Sequence, residues 1–200
     1  MKNEAEDGET KPVLNEKVEE SPAEIPQEPT ENATEEKEEE PVNYSDLPSD
    51  AEVFSFNELP KTLDEMAKLP EISMDTPYKT AALTVLAYTA FEEHPQESQK
   101  MFQTLCGSRA LCESEWQILT KNIREDASSI KNHFCGSVMG NEYVPDKPYT
   151  LGIMESDDSF EKEGFAVLYI VSGRNEKAGS VRLRLSNDGK WYFWDQELFG

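Results

Sequence analysis

The sequence of 200 residues lacks any apolar run near the roughly 20 residues that a membrane-spanning helix needs. Its start has no apolar segment behind a basic end, so no export signal is expected. Cysteine is also scarce. Cys106, Cys112 and Cys135 are an odd number without an export signal, which favours reduced thiols. We therefore expect a cytoplasmic protein that has no membrane partner.

Basic side chains are few as well, with 19 Lys and Arg against 41 Asp and Glu, for a formal net charge of −22. A surface this negative repels phosphate backbones, and the sequence has no local basic patch. The same sign opposes adhesion to anionic lipid. Nucleic-acid and membrane-surface binding are therefore not expected.

The acidic excess is concentrated at the N-terminal end, where residues 1–50 hold 17 acids and four bases. Residues 1–43 contain no aromatic side chain, five prolines and many glutamates. Such a segment buries too little apolar surface to offset its chain entropy. We predict a disordered acidic tail over residues 1–45 that solvates the protein; a tether or a lure for a basic partner is the functional alternative.

Residues 46–75 are predicted to be a linker with a short docking helix. Within them Val53–Phe56 is the first alternating apolar patch. A capping box at Thr62–Glu65 begins a helix that should run over about 62–69, because Pro70 stops it.

The remaining residues, 76–200, are predicted to form one α+β domain. Thr76-Pro77 begins its strongest helix, and the almost entirely apolar Ala81–Phe91 is typical of a core helix. Three shorter helices follow. The apolar residues of the first are Met101, Phe102 and Leu105, those of the second are Trp116, Leu119 and Ile123, and those of the third are Ile130 and Phe134.

After Gly136 the apolar spacing changes from helical to alternating, which predicts about four strands. Phe165–Val171 is a continuous apolar run, as in a strand buried on both faces. Asn187-Asp188-Gly189 is a hairpin signal that joins the last two strands. We expect the helices to pack on one face of an antiparallel β-meander, with Val181, Leu183 and Leu185 toward the core.

Several short sequence motifs occur in an order that resembles an uncharacterised bacterial family, mainly from Firmicutes, known only as a domain of unknown function. They are Thr76–Leu83, Gly136 followed by Asn141–Pro145 and Pro148-Tyr149, and Ser172-Gly173 with Arg182 and Gly189–Trp191. The resemblance covers about residues 70–198. The chain departs from the family pattern at two places. The turn Gly173–Glu176 stands where the family often has Gly-Gly-Ala-Asp, and the sequence ends at Gly200. The family implies no activity, so it assigns no catalytic residue.

Catalytic and metal motifs are weak. Zinc needs four ligands and no Cys-x-x-Cys pair occurs, while a Cys135 nucleophile with His94 or His133 would need an electropositive setting. Glu155–Ser159 lacks the oxygen spacing of a calcium loop. No phosphate-loop, dinucleotide or serine-nucleophile motif is present. We predict no catalytic residue, no metal and no cofactor.

The best local positive feature is the pair Arg182 and Arg184, two residues apart on one strand. A tight hairpin should place them beside one aromatic pair of Trp191–Trp194, and Tyr and Trp beside Arg is the composition of an interface hot spot. We name Arg182, Arg184, Tyr192 and Trp194 as candidate binding residues. The alternatives are cross-strand pairing of the arginines with carboxylates and burial of the aromatic rings in the core.

The leading functional hypothesis is a non-catalytic interaction module for a protein partner. The alternative is a small-ligand-binding protein or small enzyme that uses a pocket between a curved sheet and its helices. The two differ in whether Arg182 and Arg184 point to solvent or into an enclosed cavity.

Overall fold

A computed structural model describes residues 47–171 and 179–199. The tail predicted over residues 1–45 lies outside the described residues, and so does the turn Gly173–Glu176. Within the described part of the chain, no helix has the length and apolar character needed to cross a bilayer.

The helical layer follows the capping signals of the sequence. Thr76 accepts a hydrogen bond from the Lys79 amide and begins the main helix, while Thr62 accepts one from Glu65 and begins the short first helix. The α-helices are α1 (Leu63–Met66), α2 (Pro77–Thr89), α3 (Pro95–Leu105), α4 (Glu113–Leu119) and α5 (Lys121–Glu125). The 3₁₀ helices cover Pro70–Ser73, Ala127–His133 and Met139–Asn141.

Helix α2 is the centre of the core, as its apolar sequence predicts. Leu83 and Leu86 have no solvent exposure, and the helix contacts α3 on one side and strands of the sheet on the other. Its buried hydroxyls are all hydrogen-bonded: Thr84 donates to the Thr80 carbonyl, Thr80 to the Trp191 carbonyl and Tyr88 to the Leu119 carbonyl. This pairing lets a helix with polar residues remain fully buried.

Two helix predictions were wrong in detail. The run containing Trp116, Leu119 and Ile123 is two helices, because the backbone leaves helical geometry at Thr120, where φ is −96° and ψ is 0°. Thr120 also donates to the Trp116 carbonyl, which competes with the regular ladder. The segment with Ile130 is a 3₁₀ helix rather than an α-helix.

The sheet has five antiparallel strands in the described residues, in the order β1-β2-β3-β4-β5, rather than the predicted four. They are β1 (Glu52–Phe56), β2 (Tyr149–Met154), β3 (Phe165–Ile170), β4 (Gly179–Leu185) and β5 (Trp191–Glu197). The additional strand, β1, comes from the apolar patch in the segment predicted as a linker. The α+β architecture itself is confirmed.

The inner face of the sheet packs on the helices and the outer face is only partly covered. Ala166, Leu168 and Ile170 are fully buried, while the residues that alternate with them in β3 are half-buried. The prediction that β3 is buried on both faces was therefore wrong. Leu185 is 40% exposed, so it does not join Val181 and Leu183 in the core.

Candidate interaction surface on the outer face of the sheet

The β4–β5 hairpin is closed by its tight turn. The Ser186 amide donates to the Lys190 carbonyl at 2.9 Å, and Gly189 takes a φ of +79°, which suits glycine. Asp188 accepts from the Lys190 amide at 3.1 Å and from the Tyr192 hydroxyl at 2.7 Å. The hydrogen bond to Asp188 raises the pKa of Tyr192 above its ordinary value. The turn therefore fixes the first aromatic side chain of the surface.

A β-bulge interrupts β5 at Trp194, which lies on the outer face next to the buried Phe193. The register pairs Arg184 with Tyr192 and Leu183 with Phe193, then resumes with Arg182 opposite Asp195. Trp194 is thus the extra residue without a cross-strand partner. Bulges of this kind redirect a side chain and restart the alternation of faces.

Two guanidinium groups lie against the Trp194 ring. The Cζ atoms of Arg184 and Arg109 are each 5.4 Å from its centroid, within the range of cation–π attraction. Trp194 is 39% exposed. The ring is therefore a solvent-accessible aromatic surface between two positive charges.

The patch continues onto β3 through Phe165. Its ring meets that of Trp194 edge-on at 5.7 Å between centroids, and the Lys162 ammonium lies 4.1 Å from its centroid. Arg184, its cross-strand partner, is 6.0 Å from the same centroid. Aromatic and cationic side chains therefore alternate across the outer face.

The structure divides the two predicted arginines between two environments. Arg182 faces Asp195 at 3.6 Å, with both side chains about half exposed, which matches the cross-strand alternative. Among the described residues, no carboxylate lies within ion-pair distance of Arg184. Arg184 is therefore a positive charge of the surface that is available to a ligand.

The loop after α3 completes the site from the side. Gly107, with φ of +63°, lets the chain turn beneath Tyr192: a Cβ at this position would lie 2.4 Å from the Tyr192 ring. Two residues later Arg109 reaches Trp194 and forms an ion pair of 2.5 Å with Glu115. This loop joins the helical layer to the outer face.

Together these elements form a surface depression of about 220 Å³, which we call the Trp194 groove. Its lining includes Arg109, Arg184, Leu185, Tyr192, Phe193 and Trp194, with no carboxylate. A second depression that Trp194 also lines, the Ile118 groove, measures about 100 Å³. Its apolar lining residues are Leu111, Ile118, Leu119 and Phe193, and its charged ones are Arg109, Glu115 and Asp195. Trp194 thus lines both a cationic depression and a more apolar one whose carboxylates face arginines.

Two other candidate groups, Cys106 and His133, are buried. Burial raises the pKa of the Cys106 thiol, which keeps it protonated at neutral pH and unsuited to nucleophilic attack. His133 is buried and its Nε2 lies 3.1 Å from the Leu198 carbonyl. Among the described residues, no group of three or more His, Cys, Asp or Glu side chains is placed to hold a metal ion.

The acidic loop Glu155–Ser159 is a turn organised by hydrogen bonds. Ser159 is buried and donates to the Val167 carbonyl at 2.5 Å, while the Ser156 amide donates to Ser159 Oγ at 2.9 Å. The carboxylates of Asp157 and Asp158 remain exposed.

The sequence placed Arg182, Arg184, Tyr192 and Trp194 on adjacent strands, and the structure brings the last three together. Arg109, Lys162 and Phe165 also belong to this surface and were not predicted from the sequence. Phe165 could have been predicted, because the alternation of side chains along β3 from the buried Leu168 places it on the outer face. Arg109 could not, because the sequence of a loop does not indicate which strand its side chains contact.

Residues 58–199 match a protein family described as Domain of unknown function (DUF6935). Neither a curated protein nor a solved structure matches the chain.

Proposed function

The chain belongs to the family Domain of unknown function (DUF6935), and we propose that it is a non-catalytic protein-interaction module whose contact surface is the Trp194 groove. The three cysteines are free thiols, which favours a reducing compartment such as the cytoplasm as its place of action.

One observation carries the proposal. An exposed tryptophan stands between two arginines in a depression lined by no carboxylate, on a chain of net charge −22. Trp, Tyr and Arg are the side chains enriched in binding hot spots. A large aromatic surface left open to water costs stability, and contact with a partner removes that cost.

The size of the groove favours a protein contact over a cofactor. Its volume of about 220 Å³ is below the several hundred Å³ of ordinary small-molecule pockets. A further depression beside Trp194 measures about 350 Å³, but half of its lining residues are charged, whereas ligand pockets are predominantly apolar. The space between sheet and helices, where the alternative ligand pocket would lie, holds fully buried side chains such as Leu86, Phe102 and Leu168. The interaction module is therefore the better supported function.

The test is affinity capture with three baits: the wild-type chain, Trp194→Ala and a matched control. Lys68→Glu is a suitable control because Lys68 is exposed on the C-terminal side of α1, away from the groove. A photoreactive amino acid in place of Leu185, which lines the groove, identifies proteins in direct contact.

We expect proteins that crosslink at position 185, that are retained by Lys68→Glu and that are lost with Trp194→Ala. Circular dichroism of each bait shows whether it is folded. Identical capture by a folded Trp194→Ala bait would place the contact elsewhere and overturn the proposal.

A further inference from the structure

The two depressions beside Trp194 differ in what they can accept. The Trp194 groove presents Arg184 and Arg109 and is lined by no carboxylate. The Ile118 groove presents Leu111, Ile118 and Leu119, and Ile118 is 74% exposed. Arg109, Phe193 and Trp194 line both depressions, so the two adjoin at Trp194 and one ligand can contact both at once.

Charge determines the occupant of the first depression. Arg109 is already paired with Glu115, whereas Arg184 touches only aromatic rings among the described residues. Guanidinium groups bind carboxylates through paired, charge-assisted hydrogen bonds. The free hydrogen-bonding capacity of Arg184 therefore selects an acidic side chain.

The charge of the whole chain opposes an acidic ligand, but only at long range. At physiological ionic strength the screening length is about 8 Å, so distant carboxylates contribute little inside the groove. Of the carboxylates around the site, Glu115 and Asp195 each face an arginine, Arg109 and Arg182, and Asp188 accepts hydrogen bonds from the Tyr192 hydroxyl and the Lys190 amide. The local attraction of Arg184 therefore outweighs the global repulsion.

Size determines the occupant of the second depression. A volume of about 100 Å³ equals a few water molecules of roughly 30 Å³ each, which is the scale of one aliphatic side chain. Its apolar lining gains free energy when such a group replaces water.

We infer that the Trp194 surface recognises an extended protein segment in which an acidic residue stands next to an aliphatic one, with the carboxylate at Arg184 and the aliphatic group at Ile118. Adjacent residues of an extended chain are about 3.3 Å apart along the strand, and their side chains point to opposite sides. That arrangement lets them straddle the indole ring. This inference rests on the proposed function and specifies its ligand.

The test uses fluorescence polarisation with four labelled peptides in one neutral Gly/Ser/Asn background. Their central pairs are Glu-Leu, Gln-Leu, Glu-Gly and Lys-Leu. With the full wild-type chain we expect Glu-Leu to bind most tightly. Replacing its Glu by Gln should weaken binding roughly tenfold, the lower end of the range for a hydrogen bond between charged groups. Replacing its Leu by Gly should weaken binding by a similar factor.

Two variants assign the depressions separately. Arg184→Glu should lose the Glu-Leu peptide and gain the Lys-Leu peptide, a charge exchange that a folding defect does not produce. Ile118→Asp should abolish the preference for Leu over Gly and keep the preference for Glu over Gln. Lys68→Glu, which also reverses one charge, should leave all four affinities unchanged.

Equal binding of the four peptides, or failure of Arg184→Glu to prefer Lys-Leu, would overturn the inference. A Trp194-dependent partner whose crosslinked segment lacks the acidic–aliphatic pair would do the same and leave the proposed function standing. A phosphorylated peptide that binds at Arg184 without an aliphatic neighbour would also contradict the inference. Absence of any Trp194-dependent contact would instead remove the proposed function.

Discussion

The ring of Tyr192 lies directly over Gly107, so close that a Cβ on Gly107 would be 2.4 Å from a ring carbon. This contact joins the loop after α3 to β5 and fixes one wall of the Trp194 groove. Glycine is required at this position for two reasons: its φ is positive, and the Tyr192 ring leaves no room for a Cβ.

Gly107→Ala should therefore destabilise the protein more than a positive φ alone explains. Gly164→Ala is the matched control, because Gly164 has a φ of +73° and nothing within 4 Å of its added Cβ. We expect roughly 1 kcal/mol for the control and a further 1–3 kcal/mol for Gly107→Ala in urea unfolding. In the Tyr192→Ala background, Gly107→Ala should lose most of this additional destabilisation. Equal losses of stability for Gly107→Ala and Gly164→Ala would show that the Tyr192 ring moves aside at no measurable cost.

The core prediction concerns Leu86, which has no solvent exposure in α2. Leu86→Ala should lower the free energy of unfolding by roughly 2–5 kcal/mol, since it leaves a cavity between helix and sheet. Ile118→Ala, at a 74% exposed position, should change it by less than about 0.5 kcal/mol. Denaturant titration measures both. A small loss at Leu86 would contradict its place in the core.

Acid sensitivity should arise in part from His133. Burial lowers the pKa of His133 from 6.5 to about 4, although its Nε2 contact with the Leu198 carbonyl acts in the opposite direction. The unfolded chain binds this proton first, so the stabilising contribution is complete above pH 6.5 and is lost as the pH falls toward 4. The full loss is about 3 kcal/mol at 1.36 kcal/mol per pKa unit.

The corresponding measurement is the free energy of unfolding of His133→Gln and wild type between pH 7 and pH 4. The stability of the variant should fall less steeply in this window. Carboxyl groups with lowered pKa, such as Glu97 and Asp188, act at still lower pH in both proteins. Parallel curves for His133→Gln would refute the assignment.

Charge reversal of both strand arginines should separate binding from folding. Arg182 and Arg184 are exposed, and the Arg182–Asp195 pair at 3.6 Å is of the kind that contributes roughly 0–1 kcal/mol. Arg182→Glu with Arg184→Glu should therefore keep its circular dichroism spectrum and lose partner capture. Unfolding of this variant would make the arginines structural. A folded variant that captures the same proteins would move the contact elsewhere.

The sequence predicts most of this architecture because each element has a local signal. The caps Thr76-Pro77 and Thr62 begin helices where expected, and the Asp188-Gly189 turn sets the β4–β5 pairing. Strand β1 was missed as part of the sheet because its partner, β2, is about 95 residues away and pairing at that separation leaves no local trace.

The site was predicted less completely, for a similar reason. Alternation along β4 and β5 identified Arg184, Tyr192 and Trp194, but no sequence signal indicates the bulge that shifts the register and places Asp195 opposite Arg182. The reach of Arg109 depends on how the loop after α3 folds over β5. Contacts between layers are decided by packing, which a pattern along one strand does not contain.

Because Trp194 is the bulge residue of β5, it has no cross-strand neighbour to satisfy and no place in the core. Replacing it removes ring contacts with Phe165, Arg109 and Arg184 but no backbone pairing and no core contact of β5. A library randomised at codon 194, with codons 118 and 184 added to vary the two grooves, would give variant binders on an unchanged scaffold. In this respect the bulge behaves like a hypervariable position, at which new recognition can arise without a second mutation to restore the fold.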